Sequence, residues 1–471
     1  MRKRFSGAVS SLFILVAIFV LVNGCSKTPL GPAAATPPSV VTYGLISAVT
    51  PTSALSGGIV TNGNGGVVTA NGVCWSSVNT TPTVSDSKTT DTINVNGYNS
   101  RITGLTASTT YYLRAYASNS GGVGYGAVIK FTTGGPGTTL STTVSTVAGN
   151  ASTFGSVNGT GAAALLNGPN SICFNPTTGT LYISETFNNA IRTMTTGGAV
   201  SSYNNPGLGL VNGQLANALF YGPANVAFDA QGNVYVADMG NNCIRKITTA
   251  GVVTTLAGNG LNGYADGAPT VAMFSSPTGV TVDAQGNVYV ADRGNSLIRK
   301  ISPNGTVVTV CGAISAAGVI QTAVHGFIDG ASNVAQFYGP TAVALDPTGA
   351  TLYVADGNNH AIRMVTISNG NVSTLAGGNV QVNLLGTPNS LVCDAAGNLF
   401  EADETGRVLE ITAAHTLYVL GGGVNTQGYV DGPGPLSHFN SPQGVALDAQ
   451  GNVYVADFNN NVIRKITLKF Q

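Results

Sequence analysis

From residue 141 onward the apolar residues come in short runs that alternate with polar ones and are broken every few positions by Gly, Asn or Asp. Four such runs follow one another in residues 222–258: Asn225 to Asp229, Val234 to Ala237, Ile244 to Thr248 and Val252 to Ala257. Gly232-Asn233, Gly240-Asn241-Asn242 and Ala250-Gly251 separate them. β-Branched and aromatic residues at period two, punctuated by residues that tolerate turn backbone, predict antiparallel strands joined by tight hairpins. The same order returns after Pro169, Pro223, Pro277, Pro340, Pro388 and Pro442, at spacings of 54, 54, 63, 48 and 54 residues. Each unit is a four-stranded sheet that cannot cover both of its own faces. Six such sheets around one axis cover each other, so the expected fold class is all-β, a six-bladed β-propeller.

Within each unit the motif Val-Tyr-Val-Ala-Asp, then Asn, then Ile-Arg-Lys-Ile is nearly complete at 234–247, 288–301, 352–365 and 453–466. These residues resemble the NHL repeat family over about two thirds of the chain. The resemblance implies an NHL-like propeller and leaves function open, because such propellers include protein binders, RNA binders and lyases. Unit one carries Glu185 where the others have Asp238, Asp292, Asp356, Asp403 and Asp457. Unit five has a hairpin one residue shorter, and Glu410 is read at the Arg position. Unit six stops after its third strand, whereas residues 143–148 repeat the pattern of a fourth strand. Strand 143–148 is therefore expected beside 462–468, closing the ring.

The start of the chain has a different pattern. Met1-Arg2-Lys3-Arg4 precedes an apolar run from Leu12 to Val22, too short to span a bilayer as a helix, and then Asn23-Gly24-Cys25. Val22 three residues before Cys25, with Gly24 between, resembles a bacterial lipobox. Residues 1–24 are then a lipoprotein signal, Cys25 the lipidated residue, and 25–40 a Pro/Ala/Ser-rich tether. Residues 41–134 hold seven candidate strands, the single Trp75 and the run Leu105 to Tyr111, which resembles the corner of a fibronectin type III domain. A β-sandwich preceding the propeller is expected there, serving as a spacer, with Tyr111 bonding upstream backbone and Trp75 in the core. Residues 135–140 read as a linker and 141–471 as the propeller.

Charge narrows the function classes. Net charge is zero and only 8% of residues are charged, so no basic surface suits nucleic acid. Beyond Cys25, Cys74, Cys173, Cys243, Cys311 and Cys393 form neither a disulfide framework nor a metal-ligand spacing. His325, His360, His415 and His438 are likewise scattered. The repeated Asp after strand two recurs too often to be catalytic and is read as capping a turn. The segments Gly263 to Gly267, Gly326 to Gly330 and Gly428 to Gly432 read as lids, each pinned by an apolar residue such as Phe274. One lid is enlarged, between Gly312 and Gly326, and one is missing, between Gly377 and Thr387. No catalytic residue, cofactor or metal is expected. Positions just after the repeat Pro face the channel mouth and are neutral, so Asn170, Asn389 and Gln443 are the candidate ligand contacts. The sequence favours a monomeric, non-catalytic binding or scaffold lipoprotein of the bacterial envelope, taking an envelope protein or glycan on its lid face and holding the membrane through Cys25. The alternatives are a propeller lactonase or lyase-type enzyme with a metal at the mouth, and an architectural or adhesion module.

Overall fold

The computed structural model describes residues 34–93, 97–135, 140–314, 324–378, 385–423 and 426–470. Cys25, the signal and most of the tether lie outside these residues, as do 136–139 of the linker and the central parts of the enlarged loop and of the lidless connection.

Residues 140–470 form six blades of antiparallel strands. Blade two shows the common plan: Pro223–Phe228, Val234–Asp238, Cys243–Ile247 and Val252–Ala257. Each first strand lines the axis and begins at the repeat Pro, whose missing N–H costs no ladder bond at a strand start. Alternation then gives each blade two apolar faces. Val234 and Val236 pack with Ile191 of blade one, whereas Tyr235 and Ala237 pack with Val288 and Val290 of blade three. The core is thus a ring of inter-blade layers. Leu140–Gly149 pairs antiparallel with Val462–Phe470, Val144 opposite Ile466, and supplies the fourth strand of blade six from the other end of the chain.

A buried ion pair ties each lid to its blade. In blade two the Arg245 guanidinium donates to Asp238 Oδ2 at 2.8 Å, to the lid carbonyls of Leu219 and Val211, and to Asn212 Oδ1. Asp238 also accepts from the Tyr221 N–H and the Asn241 amide. The lid's Phe220 lies against the guanidinium. Arg192, Arg299, Arg363 and Arg464 repeat this arrangement with Glu185, Asp292, Asp356 and Asp457. The repeated acid is therefore more than a turn cap: it anchors a guanidinium that holds the lid. Asp266, Asp329 and Asp431 complete the grip on Arg299, Arg363 and Arg464.

Blade five departs from the plan. Strand pairing puts Leu409 opposite Glu401, the place of Arg245 opposite Val236, and puts Glu410 opposite Phe400, the place of Lys246. The reading of Glu410 at the Arg position is corrected to Leu409. The shorter hairpin moves the guanidinium into Arg407, which pairs with Asp403 four residues back instead of seven. Arg and lid are lost together for one reason. Without lid carbonyls a buried guanidinium there would keep unmatched donors.

Among the described residues blade five shows no such lid, and another part of the chain lies in its place. In the other five blades a lid Gly lies beside the same point of strand four: Gly159 at Val200, Gly213 at Val253, Gly267 at Val307, Gly330 at Val372 and Gly432 at Val144. In blade five that point is Leu417, and Ser47 of the N-terminal sandwich lies opposite it, in a short parallel pairing of Ile46–Ser47 with Thr416–Gly421. The Ile46 N–H donates to the His415 carbonyl at 3.0 Å. Leu45 is buried among Leu375, Leu385 and Leu417. The first module is thus more than a spacer; it covers a blade edge at which the described residues form no lid. The module is a sandwich of two sheets, one built from Ser39–Thr42, Ser53–Asn62, Ile46–Ser47 and Tyr98–Thr103, the other around Ala70–Ser76 and Thr110–Asn119. The Tyr111 hydroxyl accepts from the Thr106 N–H at 3.0 Å, and Trp75 packs against the sandwich core, partly covered.

Candidate functional site

The mouth of the central channel on the lid face is a cavity of about 420 Å³ to which all six blades contribute. The repeat explains which side chains reach it. Two positions per blade point inward: the residue after the repeat Pro, and the residue after the acid of strand two, carried on a short turn. The first set is Asn170, Ala224, Thr278, Thr341, Asn389 and Gln443, all of which line the mouth. The second set supplies Thr186, Met239, Arg293, Glu404 and Phe458 to the lining. Below the mouth the bore turns apolar, a cavity of about 210 Å³ lined by residues such as Phe174, Val280, Leu391 and Val445.

Asn170, Asn389 and Gln443 therefore come together in one cavity, with different degrees of commitment to the scaffold. The Asn389 amide donates to the Pro442 carbonyl of the next blade at 3.1 Å, as Thr278 and Thr341 hydroxyls do to Pro340 and Pro388. The Gln443 amide donates to Ser441 Oγ at 3.0 Å. The Asn170 side chain has no hydrogen-bond partner among the described residues, so both ends of its amide are available to a ligand. Asn225 is committed, donating to Ser171 and accepting from the Val280 N–H.

The mouth is less neutral than its first ring suggests. Arg293, Glu404 and His360 also line it, from blades three, five and four. His360 takes left-handed backbone, φ 51°, at the turn before Ala361–Thr366, which turns its ring toward the cavity. Arg293 and Glu404 form no ion pair among the described residues, and neither is buried. The opposite side, from blades six, one and two, sets the apolar side chains of Phe458, the neighbouring Phe187 and Met239 among the uncharged polar ones of Asn170, Thr186 and Gln443. The sequence did hold a signal for this asymmetry. The position after the acid varies freely (Thr, Met, Arg, Gly, Glu, Phe) although the acid before it is Asp in five units and Glu in one.

Other candidates fall away from this cavity. His325 stacks on Tyr338 in a lid, His438 lies in another, and His415 is on the opposite face. Among the described residues no three of His, Cys, Asp and Glu gather closely enough to hold a metal. The five described cysteines are unpaired, with Cys74, Cys243 and Cys311 buried. Cys173 and Cys393, in the first strands of blades one and five, both line the bore. Burial pushes the Cys173 and Cys393 thiols up to about 12, so neither is a ready nucleophile.

Residues 262–423 match the Teneurin NHL domain family, and 220–247 and 439–466 match the NHL repeat family. The chain is 28% identical over 283 residues to the Arabidopsis thaliana "Protein SUPPRESSOR OF QUENCHING 1, chloroplastic"; the match takes in 55% of this chain and 26% of that protein. The chain thus spans about a quarter of that relative's length. A Bacteroides thetaiotaomicron protein of unknown function superposes with a TM-score of 0.53 at 15% identity, over 93% of this chain and 100% of the other. An "auxiliary nutrient binding protein" from the same species superposes with a TM-score of 0.51 at 13% identity, over 91% and 98%. At such identities the likeness concerns the fold, and it extends over sandwich and propeller together.

Proposed function

We propose that the protein is a non-catalytic binding or scaffold component of a bacterial envelope, whose lid-face mouth takes a ligand rich in hydroxyl or amide groups. The observation that carries this reading is the lining of the mouth: side-chain amides and hydroxyls converge there from Asn170, Thr278, Thr341, Asn389 and Gln443, above an apolar bore. Concave, partly apolar cavities with a few fixed polar groups are the usual form of small-ligand sites. The lactonase or lyase reading would need convergent metal ligands, and the mouth offers one carboxylate, Glu404, and one imidazole, His360. Attachment through a lipid on Cys25 completes the proposal: the signal-like start precedes that residue. Two measurements test it. Titration calorimetry of the full chain against envelope glycans and peptides should give a complex that Asn170→Ala weakens about tenfold, the change that a lost hydrogen bond to a buried ligand group produces. A stoichiometric Ca²⁺ or Zn²⁺ site at the mouth, removed by Glu404→Gln, would favour the enzyme. Cys25→Ala should move the protein from the membrane to the soluble fraction, and unchanged partitioning would rule out the anchor.

A further inference from the structure

The mouth has one feature that hydrogen bonding leaves unused. Phe187 is 61% exposed although it is a large apolar side chain at the rim of a folded blade. Its ring lies against Gly168, where a Cβ would collide with it, so the glycine makes room for the ring. Gly168 is left-handed, φ 61°, which suits glycine further. Phe187 leans on Phe458 with ring centroids 5.3 Å apart and planes tilted by 56°. Phe458 lines the cavity, so the two rings, set at an angle to each other, form an aromatic shelf from the cavity lip outward over blades six and one, with Phe187 as its outer face. Asn170, with its unused amide, belongs to the same blade as Phe187, and Gln443 to the same blade as Phe458.

We infer that this shelf and the neighbouring amides form a site for a neutral oligosaccharide, one sugar seated in the mouth and the next stacked on Phe187. The inference rests on the mouth being a binding site, as proposed above. A pyranose ring presents an apolar face of C–H groups and an edge of hydroxyls. A flat aromatic surface beside a side-chain amide matches both, because the amide can donate to one hydroxyl and accept from its neighbour. A peptide fits less well. An extended chain is held chiefly by main-chain bonds to a free strand edge. Here each inner strand begins with a Pro that has no N–H, and the carbonyls of Pro340, Pro388 and Pro442 already accept from Thr278, Thr341 and Asn389. Charge does not select the ligand either, since the mouth carries one residue of each sign, Arg293 and Glu404.

The test is calorimetry of the full chain with linear neutral oligosaccharides of glucose, xylose and mannose, and with uncharged extended peptides as the competing class. At least one sugar should bind. Phe187→Ala should weaken it about tenfold or more, Phe187→Tyr should restore it, and Leu261→Ala, an exposed apolar change on a distant lid, should leave it unchanged. Saturation-transfer NMR should place the ring C–H protons of the sugar, not its hydroxyl edge alone, against the protein, and lose that signal in Phe187→Ala. Full sugar affinity in Phe187→Ala together with loss in Asn170→Ala would overturn the shelf and leave the mouth as the site. Binding of a peptide but of no sugar, sensitive to Asn170→Ala, would overturn the ligand class alone. Sugar binding indifferent to both variants would overturn shelf and mouth together. Unchanged circular dichroism and melting of Phe187→Ala separate all these outcomes from misfolding.

Discussion

Glu401 is the residue most at odds with its surroundings. It is fully buried at the interface of blades four and five, cross-strand from Leu409, and neither carboxyl oxygen has a hydrogen-bond partner among the described residues. The corresponding residues elsewhere are Ile183, Val236, Val290, Val354 and Val455. Burial, with the Asp403 carboxylate second, raises its pKa well above 4.5. Because the fold prefers the neutral acid, stability is fully present below pH 4.5 and falls as pH rises toward the folded pKa. Glu401→Val should therefore stabilise the protein by about 1–3 kcal/mol, the cost of an unmatched buried polar group. The gain should grow from pH 4 to pH 7 in paired denaturant titrations, and a gain independent of pH would show that the carboxyl finds a partner. Glu410 is a milder case. Burial and the nearby Asp394 push it up to about 7, where blades two, three and six set Lys246, Lys300 and Lys465 over a Tyr ring.

At the scale of the element, the unit of construction is a blade plus its lid, joined through one guanidinium. Arg245→Leu copies what blade five has at Leu409, but in blade two it would strand Asp238 and the lid carbonyls of Leu219 and Val211. Loss of one partner from a buried pair should cost about 3–5 kcal/mol. The double variant Asp238→Val/Arg245→Leu should cost less than the sum of the two single changes, as a double-mutant cycle by chemical denaturation would reveal. Additivity would mean that the pair is not the link. The closing strand is the other element-scale device. A chain lacking residues up to 150 loses the edge strand of blade six with buried Val144 and Ala148, and its melting temperature should fall sharply below that of a chain starting at 140.

At the scale of the whole molecule, sandwich and propeller are one structure joined at blade five. A spacer could be removed without effect on the propeller. A module that fills a lid position cannot, because Leu45 leaves a hole among Leu375, Leu385 and Leu417 and the strand at Thr416 loses its cover. Deleting residues 34–135 should therefore lower the propeller's melting temperature, and Leu45→Ala in the full chain should cost about 2–4 kcal/mol. Equal melting of the full chain and the deletion would refute the joint. A bridge this short is also where the two bodies would part first, and hydrogen exchange at the Ile46 amide should be faster than at Val236 in the blade core.

The repeat was legible because period and turn chemistry are local: Val234 to Asp238 and its copies announce strand, turn and strand wherever they stand, and six copies leave a ring as the way to bury them. Asn170, Asn389 and Gln443 could be placed at the mouth for the same reason, since one repeat position lines one surface. What the sequence could not declare depends on contacts between units. Arg245 reads as an exposed strand residue until the lid folds over it. Glu410 and Leu409 exchange roles once a one-residue change in a hairpin shifts every later position by one. The shelf of Phe187 and Phe458 joins residues 271 positions apart in the chain (458 − 187), which only ring closure brings into contact. Ser47 reads as a residue of another domain. It becomes the substitute for a lid Gly because an uncovered strand edge must find a partner, and the strand that supplies it comes from whichever part of the chain lies nearest in space.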